Sequence, residues 1–425
     1  MEKLEIRILG GGREVGRSAI AVGYRGRYLL LDYGVNFTEN DVPQFPQHIR
    51  PSMVEGIVLS HAHLDHIGAA PLIYSSTKIS TVTTRLSKPL IRIMIEDFLR
   101  ISGYYIPYEY QELNSLMDNI IELDPNETVE LNNFKISLLN AGHIPGSAMV
   151  LVQLDSLKLL YTGDVNTIET KLVKPAAYEG VDADILITEA TYGNTQHPPR
   201  PSVERELINS ILEVVEDGGN VLIPVFSLGR AQEILCVLYN YLPGLNVYYD
   251  GMVRHVSEVI SSYPEYINMY GLLIKSLKEF NMVRTSGERR KLIKERGVVI
   301  VASAGMLKGG PAQYYAKQLA SNSKNGIFLV SYQAKGTPGR KLLESGLLED
   351  SGSLVKAKVR WFDFSSHADS EGLLNILRSL RNVKHIVVVH TEGVVGEEFV
   401  ERIRNQYNDL NVYYPQNGDH ITVDV

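Results

Sequence analysis

The 425-residue sequence predicts an α/β chain in which a strand-rich domain is interrupted by a second domain of alternating strands and helices. Three observations predict this. The first half is a series of short strand-like runs, each ended by glycine or a polar turn. After Tyr192 the texture changes to repeated strand, glycine turn and helix. Near "VRWFDFSSHAD" the first texture returns.

Taken in order, "EIRILGGG", "AIAVGYRGRYLLLDYG", "GIVLSHAH", "STVTTR", "FKISLLNAG", "AMVLVQLDSLKLLYTGD" and "ADILITEATYG" carry β-branched or alternating apolar residues. "SKPLIRIMIEDFLRISG" and "PYEYQELNSLMDNI" instead place apolar residues three and four apart, as helices do. The Pro-rich "NTQHPPRPSVERE" opens the insertion. "GGNVLIPVFSLGRAQEILCVLYNYL", "GVVIVASAGMLKGGPAQYYAKQLA" and "NGIFLVSYQAKGTPGRKLLE" are then three strand–turn–helix units, the pattern of a parallel, helix-covered sheet. The expected division is 1–195 for the first part of the outer domain, 196–352 for the insertion and 353–425 for the returning part.

Composition narrows the function classes. A 44% hydrophobic content supports a sizeable core, and no apolar run approaches the roughly 20 residues that span a bilayer. The opening "MEKLEIRILGGG" lacks the apolar stretch and cleavage site of a signal peptide. The single cysteine, Cys236, excludes an internal disulfide, so the reducing cytoplasm is the expected compartment. It lies in the apolar run "AQEILCVLYNYL" and reads as a buried structural thiol. A net charge of −7 argues against coating nucleic acid by bulk positive charge, though not against a cleft with its own metal cations.

The densest chemistry is "IVLSHAHLDHIGA", where His61, His63, Asp65 and His66 fall within six positions after a strand. In extended chain, residues two apart project to one side, so His61 and His63 can meet one ion. Asp65 and His66 open an expected helix and turn toward a second point. A catalytic zinc needs about three protein ligands and a water, so four ligands plus recruits from elsewhere fit two metals better than one. Other strand ends offer recruits: His143 in "LLNAGHIPGS", Asp164 in "KLLYTGDVN", His390 in "HIVVVHTEG" and Asp32 in "YLLLDYG". A lone strand-end His or Asp is usually a capped turn. Three histidines in six residues have no structural use as core or as charge partners. His48, His197, His255, His385 and His420 lack such context and read as ordinary.

With these residues in view, "HAHLDH", "AGHIPGS", "YTGD" and "VVVHTEG" resemble the metallo-β-lactamase fold in their order of ligands. "ITEATYG", "FSSHAD" and "VVVH", bracketing the insertion, resemble the three extra motifs of the β-CASP nucleases. "GGGREVGRSAI", "IPVFSLGRAQEIL" and "VASAGMLKGGPA" look like the archaeal homologues of the cleavage and polyadenylation specificity factor nuclease, in the form without KH domains. The resemblance covers essentially the whole chain. It implies a metallo-β-lactamase αββα sandwich with an inserted Rossmann-like β-CASP domain, acting as a two-zinc ribonuclease. His61, His63 and His143 would hold one Zn2+, and Asp65, His66 and His390 the other, with Asp164 bridging. His367 would protonate the leaving oxygen, Glu189 would orient it, and Asp32 would support the ligands, so that Asp32, Asp65, Glu189 and His367 form the catalytic set. One departure is the Thr391–Glu392–Gly393 that follows His390, where the family shows Gly then Glu.

Around this site, "SLGRAQ" and "SAGMLKGG" each read as a strand followed by a helix start, where free N–H groups favour phosphate. Ser227, Arg230, Ser303 and Gly305 are therefore candidate RNA-phosphate residues. "RTSGERRKLIKER", Arg284 to Arg296, and the tyrosines of "YYIPYEY", Tyr104 to Tyr110, offer charge and stacking surface, but a solvated helix face and packing explain them as well. Because the chain opens directly on the catalytic domain, with no room for an upstream RNA-binding module, the expected activity is 5′-to-3′ exoribonuclease action preferring 5′-monophosphate ends. The alternatives are an endoribonuclease of mRNA 3′-end processing and a DNA-directed β-CASP nuclease. A lactonase or thioesterase has no need of so large an insertion, and a non-catalytic scaffold would be expected to have lost ligands. RNA is the expected partner, a homodimer is allowed, and no membrane contact is expected.

Overall fold

The computed structural model describes residues 3–348 and 354–424. Contacts divide the chain into two compact units. One comprises Met1–Glu169, Pro175–Gln196 and Ser366–Val425, and the other Thr170–Lys174 and His197–Ser365.

The first unit is built on two seven-stranded sheets among the described residues. In the first sheet the spatial order is His420–Asp424, Lys3–Gly10, Ala19–Tyr24, Arg27–Leu31, Val54–Val58, Ser80–Thr84 and Ile120–Leu123. In the second it is Asn411–Tyr413, His385–Val389, Ile185–Glu189, Leu157–Tyr161, Ala148–Leu154, Phe134–Asn140 and Thr128–Leu131. The inner faces pack on each other: Ile6, Val22, Leu31 and Val58 share one core with Ile136, Val150, Leu159, Ile187 and Val387. Side chains alternate about the strand, so the outward set of the second sheet, Leu186, Ile386 and Val388, meets Leu373 and Leu377 of helix Ser370–Ser379 and Phe399 and Val400 of helix Gly393–Gln406. Burial on both faces explains why these strands are continuous apolar runs rather than alternating ones. Helix Ser87–Ser102 packs on strand Ser80–Thr84 and carries helix Tyr110–Asp118. The layers are therefore helix, sheet, sheet, helix.

Two predicted runs are hairpins rather than single strands. Chain reversal at Arg25–Gly26 pairs Ala19–Tyr24 with Arg27–Leu31, and Asp155 turns Ala148–Leu154 back onto Leu157–Tyr161; Arg25, Gly26 and Asp155 all have positive φ. The expected helix after His63 is a single turn, Leu64–Ile67, followed by a 3-10 stretch, Ala70–Ser75. Tyr108 of the tyrosine cluster is core, donating to the Gly68 carbonyl at 2.6 Å.

The second unit carries a six-stranded all-parallel sheet, ordered Asn281–Met282, Val247–Asp250, Val299–Ala302, Val221–Pro224, Gly326–Leu329 and Lys358–Trp361. Its two faces pack in separate apolar clusters, one around Ile223, Val301 and Phe328, the other around Leu222, Ile300 and Ile327. Cys236 is fully buried in helix Arg230–Tyr241, and burial pushes its thiol well above the ordinary value. Two stretches fall differently from the expected division. Thr170–Lys174 belongs to this unit, because the Glu233 carboxylate accepts from the Leu172 amide at 2.8 Å and Lys171 pairs with Glu204 at 2.5 Å. The expected return at 352/353 lies outside the described residues. Lys358–Trp361 still extends the parallel sheet, so the outer domain resumes only at Ser366. No helix among the described residues is long and apolar enough to cross a membrane.

One glycine ties the fold to the site. Gly34 lies so close to the turn Leu64–Ile67 that an added Cβ would stand 1.7 Å from the Asp65 carbonyl oxygen. Tyr33 N–H donates to the His66 carbonyl at 2.8 Å, and Val35 N–H to the Leu64 carbonyl at 3.1 Å. Gly34→Ala is therefore expected to destabilise the protein by about 1–3 kcal/mol, as overpacking does, and to lower zinc content. Denaturant unfolding and elemental analysis of the purified variant check both.

Candidate metal centre

The candidate ligands sit where strands of the first unit end, with Asp65 and His66 in the turn Leu64–Ile67 that follows one of them. His61 and His63 follow Val54–Val58, His143 follows Phe134–Asn140, Asp164 follows Leu157–Tyr161, and His390 follows His385–Val389. Strand pairing brings these ends to one rim, and buried ligand atoms gather there in two groups. In the first, His61 Nε2 and His143 Nε2 each stand 3.2 Å from His63 Nδ1, while Asp164 Oδ2 stands 3.6 Å from His61 and 3.5 Å from His143. In the second, Asp164 Oδ1 stands 3.2 Å from His66 Nε2, and Asp65 Oδ2 stands 3.4 Å from His390 Nε2 and 3.8 Å from His66 Nε2. The two oxygens of Asp164 are thus divided between the groups.

These residues fit metal ions. In a tetrahedral zinc site, with ligand bonds of about 2.0–2.1 Å, neighbouring ligand atoms stand about 3.3 Å apart. The edges of the first group match that spacing. His66 Nε2 and Asp164 Oδ1 are buried, face each other and complete no hydrogen bond, an arrangement that a shared cation satisfies. Hydrogen bonds on the far side of the rings aim them. The Ser366 carbonyl lies 2.9 Å from His143 Nδ1 and can only accept, so His143 carries hydrogen there and bares Nε2. Thr191 Oγ1 donates to the His390 carbonyl at 3.1 Å and so accepts from His390 Nδ1 at 3.2 Å. Asp32, fully buried at the end of Arg27–Leu31, accepts from His66 Nδ1 at 2.7 Å, from the Ser60 amide at 2.7 Å and from Tyr161 Oη at 2.8 Å. Ser60, Tyr161, Thr191 and Ser366 were not singled out in the sequence. Adjacency to a ligand in the chain marks Ser60, and the other three lie within the quoted motifs "YTGD", "ITEATYG" and "FSSHAD" without their partners being legible there.

The electrostatics follow from burial and partners. Burial, reinforced by His66, holds His61 well below its ordinary value, and burial does the same for His143. For His66 burial acts downward too, but Asp164, Asp32 and Asp65 outweigh it and hold the ring well above its ordinary value. Burial would raise Asp164, yet His66, His390 and His367 hold it well below the usual carboxylate range. The pocket calls for positive charge, which a bound cation can supply.

Beside the two groups, His367 Nδ1 lies 2.8 Å from Glu189 Oε1, and His367 Nε2 points to within 3.9 Å of Asp164 Oδ2. Glu189 is itself held by the Val165 amide at 2.9 Å and the Thr191 amide at 3.2 Å. All ten residues expected at the centre, Asp32 included, are brought together here. The four phosphate candidates lie in the second unit, where strands Val221–Pro224 and Val299–Ala302 pair in parallel and set their following turns side by side. A Cβ on Gly305 would stand 2.9 Å from the Phe226 amide. One expectation is corrected. Ser303–Gly305 is not a helix start, because positive φ at Gly309 and Gly310 and a Pro311 in the first turn delay the helix to Gly310–Leu319. The helix after Ser227 does begin at Arg230. His197 is more than ordinary: its Nδ1 pairs with Asp363 at 2.7 Å in the second unit. In the basic run, Arg289 is committed to buried Asp250 at 2.7 and 2.9 Å.

A buried rim of histidines and aspartates at the strand ends of an αββα sandwich defines a metal-dependent hydrolase. Comparison with known proteins agrees. The profile described as "Metallo-beta-lactamase superfamily" matches residues 12–225, "Beta-Casp domain" matches 231–342, and "Zn-dependent metallo-hydrolase RNA specificity domain" matches 354–415. The chain belongs to the metallo-β-lactamase superfamily, in its branch with an inserted β-CASP domain. It is 47% identical to RNase aCSPSF2 of Saccharolobus solfataricus, over 98% of this chain and 85% of that one. It is 37% identical to the probable RNase MJ4 of Methanocaldococcus jannaschii, over 92% and 94%. It is 34% identical to the transcription termination factor FttA of Pyrococcus horikoshii, over 98% and 71%. Among solved structures, a protein of unknown function from Enterococcus faecalis shares the fold, with a TM-score of 0.63, 13% identity and coverage of 99% and 100%.

In the metal-free protein, burial works against charge on His367, but Glu189 and then Asp164 raise its pKa to about 9. Raised above the ordinary value of about 6.5, it lends stability that is fully present below about pH 6.5 and is lost as pH rises through about 9. Metal-free wild type should therefore exceed metal-free Glu189→Gln in thermal midpoint at pH 6, with the gap closing by pH 9.5. Parallel melts across that range check it.

Proposed function

We propose that the protein is a two-zinc ribonuclease that removes nucleotides from 5′-monophosphorylated RNA in the 5′-to-3′ direction. The observation that carries the reading is Asp164, whose two oxygens face two separate ligand groups while His367 stands at the same carboxylate. His61, His63, His143 and Asp164 would hold one zinc, and Asp65, His66, His390 and Asp164 the other. When bound, two such ions supply a water activated near neutral pH and offset charge on the phosphoryl oxygens. RNA as substrate is supported by the relatives named as RNases and by the match to the RNA specificity domain.

The chain's own residues supply the rest. His367 Nε2 holds a proton that passes to the leaving sugar oxygen as the phosphorus–oxygen bond breaks. Glu189 Oε1 accepts from Nδ1, fixes the tautomer and stabilises the charged ring, and its own backbone bonds keep it in place. Asp32 keeps His66 aimed. The direction of attack rests on the second unit. There Ser227 and Arg230, at a helix start, lie beside the turn containing Ser303 and Gly305. Amides and a guanidinium together suit a compact terminal phosphate.

Purified protein is expected to hold two zincs per chain by elemental analysis. His367→Ala should keep both and lose roughly 10²–10⁴-fold in RNA cleavage, the usual cost of removing a general acid. Loss of metal in that variant would make His367 a ligand instead. For direction, one RNA sequence is compared as 5′-monophosphate, 5′-triphosphate and circle. The monophosphate form should be degraded fastest and the circle slowest. A circle cut as fast as the monophosphate form would favour internal cleavage and remove the end-binding role of Arg230.

A further inference from the structure

Ser60 joins Asp32 to His61 in a way the proposed reaction does not use. We propose that Ser60 is a positioning residue through which the single carboxylate of Asp32 sets the tautomer of one histidine in each metal pocket. The inference rests on the two-pocket reading above.

The argument is one of hydrogen-bond direction. Ser60 Oγ stands 2.7 Å from Asp32 Oδ2 and 3.0 Å from His61 Nδ1. A carboxylate only accepts, so the one hydroxyl proton points to Asp32. Oγ can then only accept from the imidazole, so His61 carries hydrogen on Nδ1. Its Nε2 is left bare, facing His63 Nδ1 at 3.2 Å and Asp164 Oδ2 at 3.6 Å. The same Asp32 oxygen takes the Nδ1 hydrogen of His66 directly at 2.7 Å, which bares His66 Nε2 toward Asp164 Oδ1. The chain of donors therefore runs from His61 through Ser60 to Asp32, and from His66 to Asp32, with one end in each pocket.

Burial makes this chain decisive. Ser60, His61, His66 and Asp32 are all 1% exposed or less, so water does not replace a lost bond. Gly163, with φ of 52°, closes over Ser60: a Cβ there would stand 2.9 Å from both Ser60 Cβ and Oγ. Tyr161 Oη shares Asp32 Oδ2 at 2.8 Å, but no hydrogen bond joins it to His61 or His66. It loads the same carboxylate without a hydrogen bond to either ring.

The test dialyses zinc-loaded protein against graded chelator buffers and follows bound zinc. Ser60→Ala should lose one of its two zincs at a roughly 10–100-fold lower chelator strength than wild type, the usual effect of removing an outer partner of a ligand. Its circular dichroism and second zinc should be unchanged. Should Ser60→Ala not fold, 15N NMR of zinc-loaded wild type decides directly. His61 is expected with metal on Nε2 and hydrogen on Nδ1. Metal on His61 Nδ1, or a folded Ser60→Ala with wild-type affinity for both zincs, overturns the proposal. A wild type that never takes up more than one zinc sinks the two-pocket reading instead, and the His61 tautomer still judges Ser60.

Discussion

Three aspartates that require positive charge at a buried rim constrain the whole first unit. Asp32 and Asp164 are almost wholly inaccessible, and Asp65 is half-buried beside them. Removing such a group from water costs several kcal/mol unless partners answer it. Five histidines and a ring of hydrogen-bond donors do so here. The sandwich core only has to be hydrophobic and well packed, whereas this rim has to be built from particular atoms at particular places. The strand ends, the glycine contacts and the outer hydrogen bonds are all arranged around it.

The placement of the insertion follows from the same rim. Strands Ile185–Glu189 and His385–Val389 are neighbours in parallel register, with Glu189 opposite Val389. The chain leaves the first strand, forms the second unit and returns to lay down the next strand beside it. Glu189, Thr191, Ser366, His367 and His390, distant in sequence, therefore surround the Asp164 end of the site.

Direction of hydrogen bonding gives this centre much of its definition. The oxygen of Ser366, the hydroxyl of Thr191 and the carboxylate of Asp32 each take the Nδ1 hydrogen of a ring and turn its Nε2 to the ligand groups, while Glu189 takes that of His367. His63 alone presents Nδ1 to its group. Because these partners are buried, ring orientation is set by hydrogen bonds within the fold, and ligand reorganisation is small.

The local pattern of the sequence was enough for the classes of element, the interruption after Tyr192, and the crowding of His61, His63, Asp65 and His66. Period and turn chemistry act over a few residues, and the clustered ligands are adjacent in the chain. Strand ends offered His143, Asp164, His390 and Asp32 as recruits, and the resemblance gave them roles and added Glu189 and His367. What the sequence could not decide was anything set by pairing of distant strands. The strand His420–Asp424 closes the first sheet against Lys3–Gly10, and Lys358–Trp361 joins the inserted sheet rather than the outer domain. The helix expected at Ser303 starts instead at Gly310, since backbone conformation at two glycines outweighs the apolar pattern. Tyr161, Thr191 and the Ser366 carbonyl acquire roles only because packing carries them within about 3 Å of a partner far away in the chain. Which oxygen of Asp164 faces which group, and which nitrogen of each histidine is bare, are likewise matters of three-dimensional direction that no spacing of letters records.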